Sequence, residues 1–219
     1  MKELEKWKRA LKAVKGKAVI GLTGPIASGK SLALRYFIEE GACGISADAV
    51  SAELLTTPRI YHTISKKFAY DTIPNNGFPD KEKLAAEVFR SPAKRKWLEG
   101  LLHPEILKRI HALTTKSRKR IVIVEAPLLF EAGLAECFML TVCLAAPEKT
   151  LRARAAKRGW SAAQYRGRVA AQLPAAEKMD RADLVLDNSG APRELKEKIG
   201  FICRFLEQTG WRKKNREDK

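Results

Sequence analysis

The sequence predicts an α/β fold in which a parallel five-stranded sheet carries helices on both faces. Two observations lead there. Short apolar runs alternate with helical segments, the pattern of strands joined by crossover helices. One run, residues 121–124 (IVIV), is uniformly β-branched, as a strand buried on both faces requires. With 219 residues the chain can bury one core, or one core with a subdomain inserted between its strands.

Residues 1–17 form an amphipathic N-terminal extension. Leu4, Trp7, Leu11 and Val14 recur at helical spacing with lysines on the other face, and this helix precedes the core. The first strand, 18–23, ends in a glycine-rich turn and leads into a helix over 30–40 that Gly41 stops. A second extended segment, 43–46, ends in Ala47-Asp48. The insertion, about 55–118, reads as helical. In it Ile60, Ile64 and Phe68 share one face, Ser91-Pro92 starts a helix through Trp97 and Leu102, and Pro104 restarts it after a break. After the third strand come a fourth over 138–144 and a fifth over 183–186. Between these two, residues 147–158 (PEKTLRARAAKR) make an arginine-rich helix. Trp160-Ser161 and a second arginine-bearing helix through Gln172 follow, so that about 150–178 reads as a lid. Residues 208–219 are a basic tail, without periodicity from Trp211 onward.

Apolar residues at 45% and charged residues at 31% are ordinary for a globular chain, and no stretch approaches the length of a membrane span. The N-terminus mixes acids and bases without an apolar core, which argues against a secretory signal and makes the cytoplasm the expected location. The four cysteines form no CxxC pair, so buried free thiols are expected rather than zinc or redox chemistry. The net charge of +17 suits nucleic acid, an acidic membrane surface or a polyanionic small ligand, and charge alone does not choose.

The chemistry is carried by Gly24-Pro25-Ile26-Ala27-Ser28-Gly29-Lys30-Ser31, which matches G-x-x-x-x-G-K-[ST] between a strand and a helix. In such a P-loop, backbone N–H groups wrap the phosphates of ATP. Lys30 reaches the β and γ phosphates, and the Ser31 hydroxyl ligates Mg2+. Asp48 ends the second strand at the carboxyl edge of the sheet. There it can accept the proton of an attacking hydroxyl or hold magnesium through water; the structural alternative is a helix N-cap. Arg158 and then Arg154 are the candidates for neutralising a transferring phosphoryl group, Arg152 pointing elsewhere. Glu125 and Glu131 flank the apolar end of the third strand, as catalytic support or as caps. The predicted class is therefore an ATP-dependent small-molecule kinase of P-loop NTPase type.

The chain resembles the dephospho-coenzyme A kinase family. The resemblance runs through Ile20-Gly21-Leu22-Thr23, Ala47-Asp48, Leu101-Leu102-His103-Pro104, Pro127-Leu128-Leu129-Phe130-Glu131 and Ala182-Asp183 with Asp187-Asn188. It implies a kinase domain over 18–207, a helical substrate insertion and an arginine-bearing lid. The implied reaction moves the γ-phosphoryl of ATP to the ribose 3′-hydroxyl of dephospho-CoA, giving CoA and ADP, with Asp48 as base and Lys30, Arg158 and Arg154 assisting. Gly24, Ala27, Ser28, Gly29, Lys30, Ser31 and Leu32 would bind ATP, with Asn188 beside the adenine. Lys81, His103 and Glu131 would face the substrate, and Ser31 and Asp48 the metal. Ser46 stands where the family has an acid, Ala52 where it has an arginine and Lys81 where it has another arginine. The alternatives are another P-loop kinase, of nucleoside monophosphates or sugar acids, and a nucleic-acid-binding protein that uses ATP as a switch. The latter needs an aromatic-studded basic surface that the sequence does not offer. Oligomeric state is not legible.

Overall fold

The structure, a computed structural model, describes residues 2–68, 84, 87–88 and 90–209. Its strands are β1 (Ala18–Thr23), β2 (Cys43–Ser46), β3 (Ile121–Glu125), β4 (Leu140–Ala145) and β5 (Leu184–Asp187). They form one sheet in the order β2-β3-β1-β4-β5, and every pairing is parallel. The predicted fold class is the observed one. In the central pair Leu22 lies opposite Glu125, and in the outer pair Ser46 lies opposite Glu125, so β1, β2 and β3 end at one edge. That edge positions the site.

The helices are α1 (Lys2–Lys12), α2 (Lys30–Glu39), α3 (Ala47–Leu55), α4 (Pro58–Phe68), α5 (Pro92–Lys116), α6 (Glu148–Lys157), α7 (Ala162–Ala170), α8 (Ala175–Arg181) and α9 (Pro192–Thr209). The period of two along β3 feeds two cores, which is why its sequence is apolar throughout. Ile121 and Ile123 meet α2 and α9 through Ala33, Phe37, Leu195 and Ile199. Val122 and Val124 meet α1, α3 and α5 through Leu11, Val50, Leu107 and Ile110. A third cluster joins Ile60, Ile64 and Phe68 of α4 to Leu102 of α5 and to Leu84.

Two local expectations are corrected. Pro104 does not interrupt the chain: α5 is one helix from Pro92 to Lys116 with the proline inside. Proline removes a single ladder hydrogen bond. Here Leu102 on one side of it is packed against α4 and Leu107 on the other against the sheet, so tertiary burial carries the helix across. Asp48 does not end β2, which stops at Ser46. It lies in the first turn of α3, and the N-cap is Ser46, whose hydroxyl accepts from Ala49 N at 3.3 Å. Strand ends also shift slightly. Phe138 packs as a buried side chain after a short 3-10 turn, and Asp183 turns its carboxylate onto Thr141 N (2.8 Å) and Oγ1 (2.6 Å), so neither lies within a strand. Lys81 and the tail from residue 210 fall outside the described residues, while 208–209 belong to α9.

Helix α1 lies along α5: Leu11 is 1% exposed and Trp7 tilts against His111 at 5.6 Å. Leu11→Ala is expected to cost about 3 kcal/mol, as for other buried leucines. Urea denaturation checks this, and a loss below about 1 kcal/mol would remove α1 from the cooperative core.

Candidate active site

The loop between β1 and α2 is shaped by its backbone. Gly29 caps α2 at φ 98°, and a Cβ there would meet Asn188 Nδ2 at 2.4 Å, so both conformation and space demand glycine. Ala27 also takes a left-handed conformation, φ 62°, which costs an alanine about 1 kcal/mol. Packing of its methyl against Leu151, Ala155 and Tyr165 holds it there. Ser28 Oγ is buried without a hydrogen-bond partner among the described residues, an orphan at the floor of the loop.

Lys30 opens α2, and its ammonium turns back to donate to Gly24 O (3.1 Å) and Pro25 O (2.9 Å). Burial pushes its pKa down to about 8, with the negative charge of Glu125 working the other way and the positive charge of Lys178 adding to the fall. Next to it Ser31 Oγ donates to Glu125 Oε1 at 3.0 Å. Burial raises the pKa of Glu125, against the Ser31 hydrogen bond and the Lys30 charge. Asp48 is raised by burial too, and Lys30 opposes the rise. These groups open into a cavity of about 360 Å³, lined by the loop, Lys30, Ser31, Asp48, Glu125, Pro127, Leu128, Arg158, Arg168 and Gln172.

The expected arginines separate. Arg158, just past the end of α6, lines the cavity. Arg154 instead donates to Asn188 O (2.8 Å) and Ser28 O (3.5 Å), tying α6 to the loop and to the segment after β5. Asn188 Nδ2 joins the same carbonyl of Ser28 at 2.7 Å. Leu32 faces the core and not the cavity. His103 lies in α5, away from the cavity lining, with its pKa lowered by burial. Glu131 is engaged by Lys178 (2.9 Å) and by Leu173 N (2.8 Å).

Sequence reasoning singled out neither Arg168 nor Gln172, which come from α7 and the turn after it, and no motif marks them. It also missed Lys178 of α8. This lysine is fully buried, donating to Pro127 O (2.7 Å) and Gln172 Oε1 (3.2 Å) beside its pairing with Glu131. Only burial distinguishes it from the many surface lysines. Burial pushes Cys137 to about 12 and Cys143 to about 11, so these thiols are inert at neutral pH.

Among the described residues no three His, Cys, Asp or Glu side chains form a metal cage. The oxygens of Ser31, Glu125 and Asp48 nevertheless suit magnesium, which takes few protein ligands and relies on phosphate oxygens and water. Among the described residues, too, no helix is long and apolar enough to cross a membrane.

A parallel sheet with this strand order, a phosphate loop at its edge and cationic helices above it define a P-loop kinase. The chain belongs to the dephospho-CoA kinase family, whose model matches residues 18–194. A dephospho-CoA kinase of Carboxydothermus hydrogenoformans is 34% identical over 201 residues, covering 90% of this chain and 98% of that one. A crystal structure from Thermus thermophilus superimposes with TM-score 0.78 at 30% identity, over 87% of this chain and 98% of that one. The dephospho-CoA kinase of Campylobacter jejuni has the same fold, with TM-score 0.65 at 22% identity over 89% of this chain and 100% of that one.

Nucleotide phosphates favour the ammonium form of Lys30, whereas the free protein releases that proton near pH 8. ATP binding above this pH must therefore take up a proton, and affinity should fall by up to about tenfold per pH unit until the bound lysine itself titrates. Calorimetry at pH 9 in buffers of different ionisation enthalpy is expected to show this uptake in the native chain. Equal observed heats in all the buffers would rule it out.

Proposed function

We infer that this protein uses ATP to phosphorylate the ribose 3′-hydroxyl of dephospho-CoA, releasing CoA and ADP, and that it does so in the cytoplasm. The observation that carries the reading is the placement of Asp48 across one cavity from the phosphate loop, in a chain that the family spans from β1 into α9. Part of the surplus positive charge then has a purpose, since both substrates are polyanions.

The roles follow from position. Backbone N–H groups of residues 24–29, the hydroxyl of Ser28 and the Lys30 ammonium bind the phosphates, with the N-terminus of α2 adding its dipole. Asp48 accepts the proton of the attacking hydroxyl. Its raised pKa makes it a stronger base than a solvated aspartate, and the charge of Lys30 limits the rise. Arg158 meets the equatorial oxygens of the transferred group, where charge is spread at the transition state. Arg154 acts through the loop it ties to Asn188, and we assign the segment 188–191 to the adenine. Ser31, Asp48 and Glu125 would hold magnesium. When bound, the ion neutralises charge on the β and γ oxygens. The cluster of α4 with the first half of α5, about 55–118 with its flanks, is assigned to the acceptor and about 150–178 to the lid. His103 and Lys81 belong to the acceptor side in this reading, and Glu131 supports the cavity wall through Lys178.

The test is ADP release from ATP and magnesium with dephospho-CoA, beside reactions containing AMP, CMP, gluconate or shikimate. Stimulation by dephospho-CoA with CoA as product is expected. Stimulation by another acceptor instead would move the substrate and leave the kinase. In the same assay Lys30→Ala should abolish turnover, and Asp48→Asn should lower kcat by about 10² to 10⁴. A change below about tenfold would demote Asp48 to a structural role.

A further inference from the structure

The two arginines that line the cavity come from different parts of the lid, yet both rest on one ring. Arg168 Cζ lies 4.6 Å and Arg158 Cζ 5.9 Å from the centroid of Trp160. The chain fixes where that ring sits. Helix α6 ends at Lys157, Gly159 takes φ 79°, and the N–H groups of Gly159 and Trp160 return to Ala156 O (2.9 Å) and Ala155 O (3.2 Å). This glycine-terminated cap brings the following residue back against the helix end. The side chain packs against the cluster formed by Ala27 of the phosphate loop with Leu151, Ala155 and Tyr165, against which Ile26 of the loop also packs. A single side chain thus adjoins the cluster that contains Ala27 of the loop and also carries two cations.

Exposed arginines ordinarily stay solvated or find a carboxylate. Arg152 pairs with Glu148 at 2.8 Å, and Arg181 pairs with Glu177. Among the described residues no carboxylate pairs with Arg158 or Arg168. The difference matters chemically. A carboxylate would neutralise a guanidinium and occupy its N–H groups, whereas an aromatic face orients it while leaving charge and donors free for phosphate. Two like charges held near one ring repel each other, so the arrangement gains most when an anion enters the cavity between them and Lys30.

We propose that Trp160 is a positioning residue whose ring holds Arg158 and Arg168 over the phosphate loop, and that Arg168 is a second lid cation for the transferred phosphoryl group. This rests on the cavity being the site of phosphoryl transfer. The ring shares a cluster with Ala27 of the loop, so nucleotide entering the loop is felt through that cluster by the side chain that aims the arginines.

The experiment compares Trp160→Phe, Trp160→Leu and Arg168→Gln in the full-length chain by ADP release with dephospho-CoA, with melting temperatures measured in parallel. Phenylalanine keeps the π face and leucine does not. Trp160→Phe is expected to retain at least about half of kcat, while Trp160→Leu loses about tenfold at a similar melting temperature. Arg168→Gln is expected to lower kcat about tenfold with little change in the KM for dephospho-CoA. Equal kcat for the two Trp160 variants overturns the platform, and an unchanged kcat in Arg168→Gln overturns the second cation. If Trp160→Leu does not fold, a chain with Trp7, Trp97 and Trp211 changed to Phe leaves Trp160 as the only indole. Its emission should shift when ATP is added, and a constant spectrum overturns the proposal. A wild-type protein inactive with dephospho-CoA would sink the reading of the site. An active wild type with indistinguishable Trp160 variants would sink the platform alone.

Discussion

An ammonium group held out of water opposite two carboxylates is the constraint around which this protein is built. Lys30 is buried at the start of α2, and its proton is retained only against the cost of desolvation. The carbonyls of Gly24 and Pro25 and the charges of Glu125 and Asp48 offset part of that cost. Burial pushes all three groups toward their neutral forms, and each opposite charge pushes back. Such a balance is easily tipped by a polyanion, which is what a site for nucleotide phosphates needs. It exists because β1, β3 and β2 are neighbours, so the phosphate loop, Glu125 and Asp48 leave the sheet side by side.

Helices α6 and α7 bring further cations to the same cavity. Their arginines differ in where the donors are spent. Arg154 uses them on the carbonyls of Ser28 and Asn188, while Arg158 and Arg168 line the cavity. Lys178 and Glu131 connect the wall at Pro127 to the turn at Gln172 and Leu173. The turn between α7 and α8 is therefore tied to the sheet edge through buried polar contacts, which are costly to break one partner at a time.

Two polar residues at or next to strand ends have local structural roles. The hydroxyl of Ser46 supplies the cap that starts α3 and sets the backbone at Asp48. Asp183 pins β5 to β4 through Thr141, which accounts for an acid ahead of a strand without giving it a part in the chemistry.

The sequence by itself determined the strands, their parallel pairing and the phosphate loop, because periodicity and a contiguous glycine-lysine motif depend on near neighbours in the chain. It also placed Asp48 at the right edge of the sheet, although the residue lies in the first turn of α3 and not in the strand. The continuity of α5 through Pro104 was not legible, since it is enforced by packing on both sides of the proline rather than by local propensity. The same holds for the site. Which arginine reaches the cavity depends on how α6 and α7 close over Trp160, and Lys178 becomes unlike other lysines only once α8 buries it. Contacts between residues far apart in the chain have no spacing to betray them, so only the tertiary structure decides them.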